Sequence, residues 1–480
     1  MLNWWLIVLI VVMPLICIGL AVYTIVYFQS EEDSKLDYVP KAIAGLGLVL
    51  ALGSILLVPY DAANSPDPTV AHKFSQTLNT SLMWQIVLWA MAVMAVVVCP
   101  FFMCFYEAYD PDKPRASTQL VHATIFTVVI VAVFVLIVSL CYSFQGVADI
   151  NFQAYQGNPQ MVLPDSSALT FVSSSAKSTV TVPVSVYTYT IGMLCFFGWI
   201  FFFFYGGTGI VAYPISLIRG FKSRTKAIGA SRFAEEMAIV LAKADAMLEL
   251  CKGLQRESRG SISRSVKNKI NILRNEVYFL EAQQAQLIWA YTKAGGSPFI
   301  VYGKLLLGVV CLVTAILWFL QIFIYNTFDV DPFLNTLLLR LNDSFALLGV
   351  CAYGIFAFYL TWSTFQGQIA LGLRLVFFQI HPMKKHDTLV NAFLFNVSLL
   401  LITNYAVIFF AVESFQDYAV LSSINGLMNV FVVHLRGIGV FIRWAQFLFL
   451  GMSLLALIWV AACPKKKRRD PTKIRLDDLK

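Results

Sequence analysis

The side chains able to do chemistry are few, and most lie at the ends of apolar runs. The five histidines are His72, His122, His381, His386 and His434, and no two have metal-ligand spacing with a third donor nearby. All nine cysteines lie in or beside apolar stretches, so neither a disulfide framework nor a Cys-based metal site is implied. GxxxxGK[ST], HExxH and GxSxG are absent. The reading is of a chain that is not an enzyme and holds no cofactor. Ionisable side chains inside a bilayer mark ion or proton paths, but here Asp61, Glu107 and Glu413 fall at the ends of runs, where an interfacial anchor is expected. The polar groups inside the runs are amides: Asn391, Asn396 and Asn404 share one run. They predict hydrogen bonds between helices, or alternatively a polar cavity. Tyr205-Gly206-Gly207-Thr208-Gly209, followed by Pro214, is a second such place. Its glycines predict close helix approach, or alternatively a broken helix lining a transport site.

These groups have to be positioned by membrane-spanning helices. Of 480 residues, 59% are hydrophobic and 13% charged, against roughly a quarter charged in soluble chains. That excludes a soluble enzyme, a disordered chain and a small disulfide-stapled domain. Nine apolar runs are long enough to span, at about 4–28, 40–58, 82–106, 119–143, 187–212, 300–325, 345–364, 389–412 and 443–462. The stretch 421–440 is expected to be an interfacial or re-entrant helix. The fold class is therefore all-α polytopic membrane protein: a five-span region over 1–217, a soluble segment over 218–299, a four-span region over 300–462 and a basic tail over 463–480.

Orientation follows the basic residues. Segment 218–299 carries fourteen Lys and Arg, the tail 463–480 eight, and loop 145–186 only Lys177. This predicts an N-terminus outside or lumenal and a cytosolic C-terminus. The +8 net charge then reflects topology and not nucleic acid. Within 218–299, Phe233, Met237, Val240, Ala244, Met247, Cys251 and Leu254 recur at 4-3 spacing, and Val266, Ile270, Leu273, Val277, Leu280 and Leu287 form a second series. Two such seams predict an antiparallel helical hairpin of coiled-coil type in the cytosol, with its turn at 256–261. Protein partners are expected there. Thr170-Phe171-Val172 and Thr179-Val180-Thr181-Val182 alternate in the outer loop and predict a small β-hairpin. Lys465-Lys466-Lys467-Arg468-Arg469, just past the last run, suits anionic lipid headgroups.

Three segments carry a resemblance. Phe377-Phe378-Gln379-Ile380-His381-Pro382-Met383-Lys384 continues to Asn391-Ala392-Phe393-Leu394-Phe395-Asn396, Leu56 to Asn64 contains Pro59 and Asp61, and Leu435-Arg436-Gly437-Ile438 precedes the last run. Together with the nine-run layout, they resemble the limb-region membrane protein family, in its plant and protist branch. That family includes lipocalin-interacting membrane receptors and the lysosomal cobalamin transport escort protein. The resemblance implies a multi-pass receptor-like or transport-escort protein without catalytic residues. The alternative is a transporter or channel for a small apolar or neutral solute, or a lipid-contacting scaffold.

Overall fold

The computed structural model describes residues 4–30, 38–64, 78–108, 116–156, 172–222, 224, 227–257, 264–292, 297–328, 330–375, 378–380, 383 and 388–462. The first helices are α1 (Trp4–Phe28), α2 (Tyr38–Asn64), α3 (Thr80–Val93) and α4 (Cys99–Glu107), the last two joined by a π turn over Met94–Val98. There follow α5 (Ala116–Gln145), strands β1 (Val147–Gln156) and β2 (Val172–Pro183), α6 (Val186–Lys222), α7 (Ala230–Glu257) and α8 (Arg264–Thr292). Next are α9 (Pro298–Gln321), extended by a π turn over Ile322–Thr327, then α10 (Phe333–Ser344) and α11 (Ala346–Leu371). Strands β3 (Leu373–Leu375) and β4 (Phe378–Ile380), α12 (Val390–Ser414), a single turn α13 (Ser423–Asn425) and α14 (Ile438–Ala462) complete the order. Among the described residues nine helices are long and apolar enough to cross a membrane, with α3 and α4 counted as one. The fold is an all-α polytopic membrane protein.

The chain divides into two compact units, Met1–Tyr213 with Val313–Ala456, and Pro214–Leu312 with Leu457–Lys480. In the first, α2, α11 and α12 pack on one another. The reason lies in one stripe of α2: Ala44, Leu48, Ala51, Ile55, Val58 and Ala62 recur every three or four residues and are all buried. Small residues at three of those six positions, Ala44, Ala51 and Ala62, bring backbones close, which is what drives helix association in lipid. α12 is buried over 83% of its apolar window, whereas α5 is buried over only 11% and offers Val, Ile and Leu outward. Between α6, α9, α12 and α14 the interior is filled by rings. Trp318 stacks on Phe410 at 5.6 Å, Trp199 meets Phe410 edge-on at 5.7 Å, and Phe202 lies 4.9 Å from Phe449. The π turn at Met94–Val98 leaves a carbonyl for a partner, and Ser398 of α12 donates to Ala95 at 2.8 Å.

In the second unit, α7 and α8 pair along a seam of Val240, Met247, Leu254, Leu273, Leu280 and Leu287, all buried and repeating every seven residues within each helix. Phe233 stacks on Tyr291 at 4.4 Å near the open end. The turn expected at 256–261 falls mostly outside the described residues.

A β-hairpin does form, with β1 antiparallel to β2 in the register Val147↔Pro183, Asp149↔Thr181 and Asn151↔Thr179, but not between the expected segments: Val172 and Thr179 to Val182 lie in one strand, β2, and its partner β1 was not expected. A second, three-residue pair, β3 with β4, follows α11 and carried no sequence signal. The interfacial or re-entrant helix expected over 421–440 is shorter, running as continuous helical turns over Ser423–His434 and ending at Leu435. α13 runs into a π turn over Gly426–Phe431 and a 3-10 turn over Val432–His434. Gly437 then turns the chain at φ +84° into α14, which starts at Ile438 and not near 443.

Candidate functional site

The segment between α12 and α14 is tied at both ends, and the ties use two of the residues singled out in the sequence. Asp61 lies in the last turn of α2 and is 1% exposed. It is therefore an interior group and not the interfacial anchor expected of an end-of-span charge. Its Oδ2 accepts the Trp84 Nε1–H at 2.9 Å and the backbone N–H of Ile424 at 2.9 Å. Ser422 caps the same turn, its hydroxyl accepting from Asn425 N, and Thr80 Oγ1 meets Ser423 Oγ at 3.0 Å. A carboxyl is well placed there because the first N–H groups of a helical segment have no partner within it.

At the other end, Arg436 grips β1. Its Nε donates to Asp149 Oδ2 and its Nη2 to Asp149 Oδ1, each at 3.0 Å, a two-pronged guanidinium–carboxylate pair. Its backbone N–H donates to the Val147 carbonyl at 3.2 Å, and Thr181 Oγ1 from β2 donates to Asp149 Oδ1 at 2.8 Å. The hydrogen bonds from Arg436 and then Thr181 hold the Asp149 carboxyl below its usual range, and the pairing raises the Arg436 guanidinium. A lowered carboxyl stabilises the clamp fully above the ordinary carboxylate range, and the stabilisation is lost as pH falls through the lowered value. The clamp is thus expected to hold across mildly acidic and neutral pH. Both side chains are solvent-accessible, so the clamp orders the hairpin more than it stabilises the fold. Arg436→Ala is expected to speed protease cleavage within 147–183 a few-fold while the melting temperature stays near wild type. Equal cleavage rates for variant and wild type would remove the clamp.

The interior amides are engaged between helices. Asn404 Nδ2 donates to Ser54 Oγ at 2.7 Å and to the Ala51 carbonyl at 2.9 Å, and its Oδ1 accepts from Thr361 Oγ1 at 3.2 Å. One residue of α12 thereby joins α2 and α11. Gln368 of α11 donates to the Asn396 backbone carbonyl at 2.8 Å and to Asn396 Oδ1 at 3.0 Å, while Asn396 Nδ2 returns to Ala392 O at 2.7 Å. Asn391 stands at the start of α12 with its Oδ1 buried and without a hydrogen-bond partner among the described residues. Glu413, also read as an anchor, takes a hydrogen bond from Gln446 of α14.

α6 runs as continuous helix through Gly206, Gly207, Gly209 and Pro214. The broken-helix alternative therefore does not hold there, and the glycines are contact points. Gly209 lies against the backbone of Ser363 and Gly367 in α11, and Gly207 against Phe449, Met452 and Ser453 in α14. Gly206 faces the Phe202 and Phe449 rings. Pro59 is buried within an unbroken α2, and Met383 is also buried. His381, Pro382, Lys384 and the basic run Lys465 to Arg469 lie outside the described residues. Asn79 caps α3, its side-chain oxygen accepting from Leu82 N at 3.1 Å, and Asn342 is buried. Among the described residues no three His, Cys, Asp or Glu side chains come together as a metal site.

Sequence reading passed over Trp84, Asp149 and Ile424, whose roles depend on partners far along the chain. It also passed over Gln321, Asn326 and Asn335, which meet at Ser414.

Comparison with known proteins follows the same layout. Residues 6–286 match the LMBR1-like membrane protein family. A LIMR family protein of Dictyostelium discoideum is 32% identical over 523 residues, covering 99% of this chain and 100% of that one. A LIMR family protein of Oryza sativa is 30% identical, covering 99% of each chain. One of Arabidopsis thaliana is 30% identical, covering 93% of this chain and 94% of the other. No solved structure matches.

Proposed function

We propose that this chain, which belongs to the LIMR (LMBR1-like) family of membrane proteins, is a non-enzymatic receptor-like or transport-accessory protein. It would work through the β1–β2 hairpin on the outer or lumenal side and the α7–α8 hairpin in the cytosol. The observation that carries this reading is the double tie of the segment 422–436, to the buried Asp61 at one end and to the β-hairpin at the other. An outer ligand or partner that moves the hairpin would thereby act on the α2–α12 interior. The excess of basic residues in 218–299 and 463–480 supports the cytosolic assignment. The run Lys465 to Arg469 would contact anionic headgroups. A conducting path past Gly206, Gly207, Asn396 and Asn404 is the weaker reading, because α6 meets its neighbours there by direct contact and the two asparagines are bonded to α2 and α11.

The test is a cross-linked pulldown from native membranes. Deleting 231–290 is expected to leave the protein in the membrane and to remove the cytosolic partners seen with the full chain. Retention of every partner would end the interaction part of the reading.

A further inference from the structure

Three carboxamides converge where α12 ends. Gln321 closes α9, Asn326 lies in the π turn that extends it, and Asn335 sits in α10. Gln321 Nε2 donates to the Ser414 carbonyl at 2.8 Å, and Asn335 Nδ2 donates to the same oxygen at 3.3 Å. Asn326 Nδ2 donates to Ser414 Oγ at 2.9 Å. Gln321 and Asn335 are 0% and 1% exposed. A backbone carbonyl only accepts, so these two amides must turn nitrogen toward Ser414 and oxygen away. Gln321 Oε1 and Asn335 Oδ1 are then buried acceptors, and they and Asn326 Oδ1 meet no donor among the described residues. Each belongs to an amide whose nitrogen touches Ser414, so all three lie near the C-terminal end of α12.

We propose that this region binds a single monovalent metal cation, sodium or potassium, through the three side-chain oxygens. The inference stands apart from the receptor reading. Neutral oxygens without a carboxylate suit a monovalent ion better than calcium or magnesium, whose sites draw on carboxylates. The C-terminal end of α12 presents the negative end of the helix dipole. Helix C-terminal ends and backbone carbonyls beside them are a recurrent way for membrane transporters to hold such ions, and a π turn is a frequent mark of a functional site. A single water brings two protons to three acceptors and leaves one unmet. Glu413, the nearest carboxyl in sequence, is engaged by Gln446.

The full-length protein in lipid nanodiscs should be melted in sodium, potassium and N-methylglucamine chloride at equal ionic strength. The expected result is a saturable rise of about 3 °C in one or both metal salts, abolished in Asn326→Ala. Identical melting in all three salts would overturn the site and leave water as the filler, and a folded Asn326→Ala that keeps the full shift would overturn the assignment of the oxygens. If Asn326→Ala does not fold, thallium(I) decides. Thallium density among the three side chains in a map of the wild-type protein upholds the site, and its absence there overturns it.

Discussion

Replacing Gly209 by alanine is expected to abolish recovery of folded protein. A Cβ at this position would overlap the Ser363 carbonyl and lie 3.0 Å from Gly367 N, and both are backbone atoms of α11. The contact is reciprocal, since a Cβ at Gly367 would overlap the Tyr205 carbonyl of α6. No side chain can rotate to make room. The helices would have to part, taking with them the bond from Tyr359 Oη to the Ile210 carbonyl at 3.1 Å. Loss of a close-packed helix pair in lipid belongs to the largest class of single-residue effects, about 4 kcal/mol or more. Two controls make the result specific. At Gly207 a Cβ would stand 3.1 Å from Phe449 O and 3.2 Å from Met452 Cβ, so Gly207→Ala should cost only about 1 kcal/mol. At Gly53 nothing lies within 4 Å, and alanine should be neutral or stabilise α2 by about 0.5–1 kcal/mol. Melting followed by size-exclusion chromatography should rank Gly53→Ala above wild type, then Gly207→Ala, with Gly209→Ala lost. Normal melting of Gly209→Ala would refute the α6–α11 contact.

The same glycines show what a single sequence discloses. Their type and clustering announce that backbones come close, but either a close crossing or a broken helix fits the pattern, and only the partner helix decides. Spans are legible because length and hydropathy are local quantities, and the α7–α8 pair is legible because its seam repeats within each helix. The alternation around Val180 reveals a strand for the same reason. What stays hidden is pairing across distance. Asp61 reads as an end-of-span anchor because nothing near it in sequence indicates that Trp84 and Ile424 will enclose it. α10 went unread although Leu334 and Leu338 are spaced for one buried helix face, because twelve residues are too few to stand out between two spans. The segment after α12 reads as one helix on hydropathy, yet its helical run ends at His434, and Leu435 and Gly437 turn the chain so that it serves Asp61 and Asp149 in turn.

Asp61→Ala is expected to cost about 3 kcal/mol and to release the segment 415–437 before the bundle melts. The substitution leaves the indole N–H of Trp84, 2% exposed, and the backbone N–H of Ile424 without an acceptor in a buried place. An orphaned buried donor costs about 1–3 kcal/mol, and two are created at once. Asp61→Asn keeps one carbonyl oxygen that can face both donors, so its loss should be smaller. Trp84→Phe removes one donor and its bond together and should cost about 1 kcal/mol. The double variant Asp61→Ala with Trp84→Phe should then lose less than the sum of the two single losses, because only the Ile424 N–H remains unmet. Proteolysis within 415–437 should quicken in Asp61→Ala. Cleavage within 147–183 should quicken with it, since the strap that holds β1 through Arg436 has lost its anchor on α2. If Asp61→Ala melts like wild type, or if the segment loosens while the hairpin stays protected, the two ties act separately. An event at the hairpin would then have no route through the strap to the α2–α12 interior.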